Sequence, residues 1–263
     1  MGPDRSGKDD FPWWLVAVAS IGAVLFWRVL ADDLSSQILN TLLRGVEVTI
    51  FVTLVGFTLA AITGLLVALA SLSRSLVLRQ AARFYTEVVR GVPILVLLLY
   101  VAFVLAPALV ECRNWLLGFL GAEPIRSREF SLLWRAIIAL MIGYSAFIAE
   151  VFRAGLLSVD PDQIEAANAL GLSRVQRFRL VVFPQAIRTI LPPLGNDFIA
   201  MIKDSSLVSV LGVLDVTQLG KVTAAGNFRY FETYNVVALI YLCMTIGLSM
   251  LLRRLEVRLR RRR

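Results

Sequence analysis

The chain has 263 residues, 58% hydrophobic and 17% charged, with a net charge of +8 and no histidine. A soluble core of this size cannot hide so much apolar surface, which excludes disorder, collagen and an ordinary soluble globule and leaves a polytopic membrane protein. The missing histidine excludes imidazole bases, imidazole metal ligands and histidine triads.

An apolar run of about 20 residues crosses the hydrocarbon core as a helix. Six such runs follow one another. Residues 13–30 come first, with Trp13 and Trp14 at one end and Trp27 at the other, in the manner of an aromatic belt. They read as a retained helix rather than a cleaved leader. The segment before them mixes Arg5 and Lys8 with Asp4, Asp9 and Asp10, and no clear small-residue cleavage site follows. Residues 46–72 exceed a perpendicular crossing and are expected to tilt or protrude. Residues 91–110 carry no charge, and 132–152 are apolar between Arg135 and Glu150. Residues 184–202 are poorer in apolar side chains and expected to break at Pro192–Pro193, while 233–252 are again uncharged. Of the two cysteines, far apart in sequence, Cys112 lies between spans, whereas Cys243 is expected to be a small buried hydrophobe. No internal repeat or linker-like stretch marks a second domain.

With a cytoplasmic N-terminus, the inside segments hold 18 Lys and Arg and the outside segments 7. That bias follows the positive-inside rule, so both termini are expected in the cytoplasm. Seven of the 27 basic residues crowd into the last eleven positions. Such a juxtamembrane tail suits an anionic lipid surface, not nucleic acid.

The cytoplasmic loop between the fourth and fifth spans reads VDPDQIEAANALGLSRVQRFRLVVFPQAIR. Asp160, Pro161 and Gln163 form a capping-box arrangement for a helix that runs through Glu165 to Leu170. Gly171 supplies a left-handed stop, with Leu172 just past it. Ser173 and Gln176 repeat the capping box for a second short helix, expected to end near Pro184. Two short helices joined at a glycine make a compact knob, unless the segment is an ordinary amphipathic loop lying on the membrane.

Ionisable residues at membrane depth are the candidates for a transport path. Asp197 lies nine residues past Arg188, about 13–14 Å along a helix axis and so near the midplane. Asn196 adjoins it. Asp197 either lines a path or ties one helix to a neighbour. Glu150 and Arg153, three apart, read as an intrahelical ion pair. Lys203 and Asp204 stand at the outer end of the fifth span, and Ser205 and Ser206 can start the next helix. These four are candidates for an outer gate or a substrate contact. No metal site and no catalytic residue is expected.

Glu165-Ala166-Ala167, three residues, Gly171, nine residues, then Val181, one residue, Phe183 and Pro184 resembles the EAA signature of ABC importer permeases. That signature reads EAA, three residues, Gly, nine residues, Ile, any residue, Leu, Pro. The wider chain resembles the polar amino-acid (histidine/glutamine/arginine) branch of that family. Residues 41–58 resemble its first core span, Arg90-Gly91-Val92-Pro93-Ile94-Leu95-Val96 its RGTPLLVQ element, Ala149-Glu150-Val151-Phe152-Arg153 its AEIFRGG segment, and Lys203-Asp204-Ser205-Ser206-Leu207 its KDTSL element. The likeness covers about residues 40 to 256. Val92 stands where the family often has Thr and Leu97 where it often has Gln, so two polar groups are missing from that face.

The resemblance implies an all-α polytopic fold of six transmembrane helices, a five-helix importer core plus one N-terminal helix, with coupling helices between spans 4 and 5. The domains would be a 1–35 extension carrying the first helix, a 36–256 permease domain with its coupling loop at 159–184, and a 257–263 basic tail. The implied setting is the bacterial inner membrane. The implied partners are an ABC ATPase subunit dimer, a second permease subunit (identical or homologous) and an extracytoplasmic amino-acid-binding protein. The chain itself is expected to bind no cofactor and to be no enzyme. A phosphate loop needs G-x-x-x-x-G-K-[ST], and Gly220-Lys221 is followed by Val222, so ATP and Mg belong to the partner ATPase. Glu165, Ala166, Ala167 and Gly171 are the implied coupling residues. The rival reading is an ion-driven secondary amino-acid carrier, which would usually show internal repeats and has no need of the knob.

Overall fold

The first helix, α1 (Trp13–Ala31), gives way at Asp32 to α2 (Asp33–Ser71). The Asp32 carboxylate caps α2 by accepting from the Ser35 hydroxyl at 2.7 Å and the Ser35 N–H at 3.1 Å. Those two donors hold its carboxyl below the ordinary carboxylate range. In this computed structural model residues 13–260 are described, and every regular element among them is helical. The charged segment 1–12 and the end of the basic tail, 261–263, lie outside the described residues.

α2 has 39 residues, about 58 Å of helix against a hydrocarbon core of about 30 Å. It therefore protrudes, starting 13 residues before the apolar run that marks its span. Its buried stripe is made of small residues spaced a turn apart, among them Thr49, Thr53, Gly56, Ala60, Gly64 and Ala68. The two threonine hydroxyls donate one turn back, to Gly45 O at 3.0 Å and Thr49 O at 2.8 Å, so no polar group is stranded. The stripe lets α6 (Leu132–Leu157) approach closely. A Cβ on Gly64 would lie 2.9 Å from both Ser145 O and Ile148 Cγ2. Val52, Leu98, Val101, Ile137, Leu140 and Met201 centre the main core around this contact.

The run expected at 91–110 is divided. α3 (Leu76–Gly91) ends at an extended Val92, and a new rod starts after Pro93. That rod joins α4 (Ile94–Tyr100), a π-helical turn (Val101–Leu105) and α5 (Ala106–Gly118). Past α6 come the short helices α7 (Pro161–Ala169) and α8 (Arg174–Arg177). A second π-helical turn (Phe178–Val182) leads straight into α9 (Phe183–Asp204). The second knob helix therefore does not stop at Pro184. Nor is the fifth span broken: α9 runs on through Pro192 and Pro193.

α10 (Val216–Asn227) packs against the outer part of α2, where a Cβ on Gly45 would meet Val216 N at 2.6 Å. α11 (Tyr230–Arg260) closes the chain. By length and composition, four helical stretches among the described residues are apolar enough to cross a membrane: Asp33–Ser71, Ile94–Gly118, Leu132–Leu157 and Tyr230–Arg254. With α1 (19 residues) and α9 (22 residues), each of the six expected spans coincides with a helix. Cys243 is exposed rather than buried, since it faces outward from α11.

Candidate coupling and translocation site

The knob is built by local capping. Asp160 accepts from the Asp162 N–H at 3.0 Å and so caps α7. Gln163 does not complete the expected box. Its side-chain carbonyl instead accepts from the Gln185 amide on α9, a partner 22 residues away. The second box forms, with Ser173 N–H donating to Gln176 Oε1 at 2.9 Å and Gln176 N–H to Ser173 Oγ at 3.4 Å. At the junction Gly171 has φ +73°. Its N–H donates to Asn168 O at 3.0 Å and that of Leu172 to Ala167 O at 3.1 Å, the paired bonds of a Schellman stop. Arg177 donates to the Asn168 side chain and ties the helices together.

Of the four coupling candidates, Ala167 is buried, whereas Glu165, Ala166 and Gly171 are exposed. Beside them Leu170 is 80% and Val175 75% exposed. The knob therefore presents a carboxylate, a small residue and two bare aliphatic side chains on a rigid frame. Its root is held by Val159, Ala186 and Ile190, whose cluster also draws in Ile164.

On α6, Glu150 and Arg153 pair at 2.6 Å. Asp197 keeps one carboxylate oxygen, Oδ2, buried without a hydrogen-bond partner among the described residues, while Asn196 beside it is exposed. Asp204 accepts a 2.8 Å bond from Tyr144 Oη of α6, linking two elements 60 residues apart. Lys203 is exposed. Ser205 is buried and donates to Ile202 O at 2.7 Å, and Ser206 follows it in a 3₁₀ segment. Asp197, Asp204 and Tyr144 thus share the α6–α9 face, while Glu150 and Arg153 stand nearer the knob and satisfy each other. Gly220 and Lys221 lie within α10, where Lys221 Nζ donates to Ser209 Oγ at 3.0 Å. Among the described residues no group of three or more Asp, Glu, Cys or His side chains is placed to hold a metal ion.

Residues 56–263 match the family described as binding-protein-dependent transport system inner membrane component. The chain belongs to this family. The family is a transport permease component, not a catalytic subunit. The glutamine transport system permease protein GlnP of Escherichia coli (strain K12) is 36% identical over 219 residues, covering 83% of this chain and 93% of that one. The probable amino-acid permease protein YxeN of Bacillus subtilis (strain 168) is 36% identical over 211 residues, covering 80% and 88%. A crystal structure of an amino acid ABC transporter with histidines superposes with a TM-score of 0.72 at 36% identity, covering 86% of this chain and 98% of that one.

Three groups in this permease escape a reading by sequence. Arg135 is buried and donates to Ala102 O at 2.7 Å, to Phe130 O at 3.0 Å and to Ser127, so backbone carbonyls rather than a carboxylate surround its charge. Tyr85 shares a 2.6 Å hydrogen bond with Ser145 Oγ and pins α3 to the middle of α6. Arg90 lies over the Phe147 ring, 5.5 Å from its centroid. The one signal for Arg90 in the sequence is a charge that directly precedes an uncharged run. Its partner, 57 positions away, is set by tertiary packing.

Proposed function

We propose that this chain is the membrane-spanning subunit of an ATP-driven, binding-protein-dependent amino-acid importer. It contributes half of the translocation path and couples it, through residues 159–184, to a separate ATPase dimer that carries ATP and Mg. The observation that carries this reading is the Gly171-stopped knob. It is a capped, rigid projection whose outermost groups, Glu165, Leu170 and Val175, have no use within this chain. The amino-acid relatives support the substrate class. A second permease subunit, identical or homologous, supplies the other half of the path, and an extracytoplasmic amino-acid-binding protein delivers the substrate. Asn196, Asp197, Lys203, Asp204, Ser205 and Ser206 line the path on α9 and just beyond it. Both termini are cytoplasmic, on the strength of the 18-to-7 distribution of basic residues. The basic tail rests on anionic lipid.

The test is Glu165→Lys in the reconstituted complex. The exposed carboxylate is outside the packed spans, so the variant inserts normally. Losing one charge-assisted contact of about 1.5–3 kcal/mol lowers stimulated ATP hydrolysis at least about tenfold, or releases the ATPase subunit. Full stimulation by loaded binding protein in this variant would remove the knob from the coupling path.

A further inference from the structure

α3 follows the cytoplasmic end of α2 and has three distinct faces. Ala82, Thr86 and Val89 are buried where the helix packs on α2 and α6. Val77, Ala81, Phe84 and Val88 recur at helical spacing and make a second face, bare of protein, on which Val77 is 76% and Phe84 71% exposed. Arg79, Arg83, Glu87 and Arg90 make the third, turned away from that apolar face.

Tyr85 fixes the depth of the helix. Its hydroxyl shares a 2.6 Å hydrogen bond with Ser145 Oγ. Ser145 in turn lies against Gly64 of α2, where a Cβ would come within 2.9 Å of Ser145 O. Gly64 is seven residues from the Ser71 end of α2, about 10 Å along the axis. α3 therefore lies in the shallow cytoplasmic layer of the bilayer, the depth of an interfacial amphipathic helix.

The same stretch is strongly basic. Residues 73–90 hold four arginines and a single carboxylate, Glu87, a net charge of +3. Glu87 is exposed between Arg83 and Arg90 and pairs with neither, for the ion pairs among the described residues are Glu150–Arg153 and Arg229–Glu232. Arg90 is already engaged over the Phe147 ring. Arg79 Nη1 donates to Ser73 O at 3.5 Å, which turns it back toward Arg74 at the α2–α3 bend. Arg74 and Arg83 are exposed.

We propose that α3 is a binding site for anionic lipid of the cytoplasmic leaflet. Val77, Phe84 and Val88 enter the acyl layer, and Arg74, Arg79 and Arg83 hold headgroup phosphates. Charge complementarity names the occupant. A zwitterionic lipid would cover the apolar face but leave the net charge of +3 uncompensated, whereas a protein would have to cover two faces that point different ways. The site is separate from the basic tail. It rests on the cytoplasmic placement of residues 73–90 and not on the amino-acid reading.

The test reads the lipid beside α3 in the permease–ATPase complex in nanodiscs. An environment-sensitive fluorophore is attached through Ala81→Cys, on the apolar face, in a chain carrying Cys112→Ser and Cys243→Ser. The probes are brominated phosphatidylglycerol and brominated phosphatidylcholine, each diluted into the same unbrominated mixture of the two lipids. Both quench the label, and phosphatidylglycerol is enriched around it by at least about fivefold, the gain from one arginine near an anionic surface. Arg79→Gln with Arg83→Gln brings the two lipids to parity, and Arg79→Lys with Arg83→Lys keeps the preference. A parent without preference overturns the proposal, as does a glutamine variant that retains it. A label that neither lipid quenches means that protein covers this face, and the proposal fails. If the glutamine variant sheds the ATPase subunit with its lipid preference intact, the arginines serve that partner and the proposal fails again. Labelling of Arg74→Cys from outside intact cells would instead overturn the topology on which the leaflet assignment rests, a result distinct from the others.

Discussion

Gly171 separates backbone conformation from packing more cleanly than any other position in the knob. Its φ is +73°, and a Cβ built there meets nothing within 4 Å. A larger side chain therefore costs nothing in clash. What it costs is the left-handed backbone, about 1–2 kcal/mol for an ordinary residue and less for asparagine. Escape from that conformation forfeits the Gly171–Asn168 and Leu172–Ala167 bonds of 3.0 and 3.1 Å, each worth about 0.5–1.5 kcal/mol. Either route depletes the native angle between α7 and α8 by a factor of about 5–30. Stimulated ATPase activity of the reconstituted complex should then rank Gly171, Gly171→Asn, Gly171→Ala and Gly171→Val in descending order, with the valine variant down about 5–30-fold. Co-purification of the ATPase subunit shows whether the partner is released or merely uncoupled. A valine variant at full activity refutes the argument. So does an asparagine variant as damaged as the valine one, since the left-handed conformation would then not be the cause.

Asp197→Asn keeps the shape of the side chain and removes its charge, so amino-acid uptake should fall about tenfold or more while the complex survives size-exclusion chromatography; uptake at the parental rate would refute a charge requirement. Gly64→Ala places a methyl 2.9 Å from Ser145 O, and Ala149 N at 3.1 Å blocks a simple shift, so thermal unfolding in detergent should report a loss of about 1–3 kcal/mol; an unchanged midpoint would mean that α2 and α6 are not held this closely. Single cysteines at Glu123 and Ala225, both exposed, should react with an impermeant thiol reagent from outside intact cells, and one at Arg74 should not. The reverse pattern would invert the topology. Ala224 is unsuitable for such a probe because it is fully buried.

Most of the fold is legible wherever a signal is local. Apolar runs mark the spans because length and hydrophobicity suffice to cross a bilayer. The knob is legible from Asp160, Gly171 and Ser173 because caps act within a few residues. Gln163 fails as a capping partner because Gln185, invisible at short range, offers its amide instead. The same limit hides two long-range contacts: Tyr144 meets Asp204, and Arg90 meets Phe147, across 60 and 57 positions that only packing of α3, α6 and α9 brings together. The long start of α2 is hidden for a different reason. Residues 33–45 are too polar to read as a span, yet they form helix because α10 and α11 cover Ile38 and Leu42.

The prolines show how a local rule can mislead and still carry information. A proline inside a helix lacks an N–H, and its ring collides with the carbonyl four residues back. For Pro107 that carbonyl belongs to Phe103, and for Pro184 to Leu180. Both lie at the centre of a π-helical turn, Val101–Leu105 and Phe178–Val182. The wider turn moves the offending carbonyl away and lets the helix continue. Pro184 therefore reports a widened turn rather than an end, and α8 is joined to α9 by unbroken helix. In the other π-helical turn the Ala102 carbonyl accepts from buried Arg135, so the same distortion that admits Pro107 supplies an acceptor to a charge that has no carboxylate. At Pro93 no such turn precedes. Val92, disfavoured from helix by the proline after it, is extended at ψ 129°. The chain breaks there and nowhere else in that span, which leaves Arg90 exposed at the end of α3 rather than packed along a continuous rod.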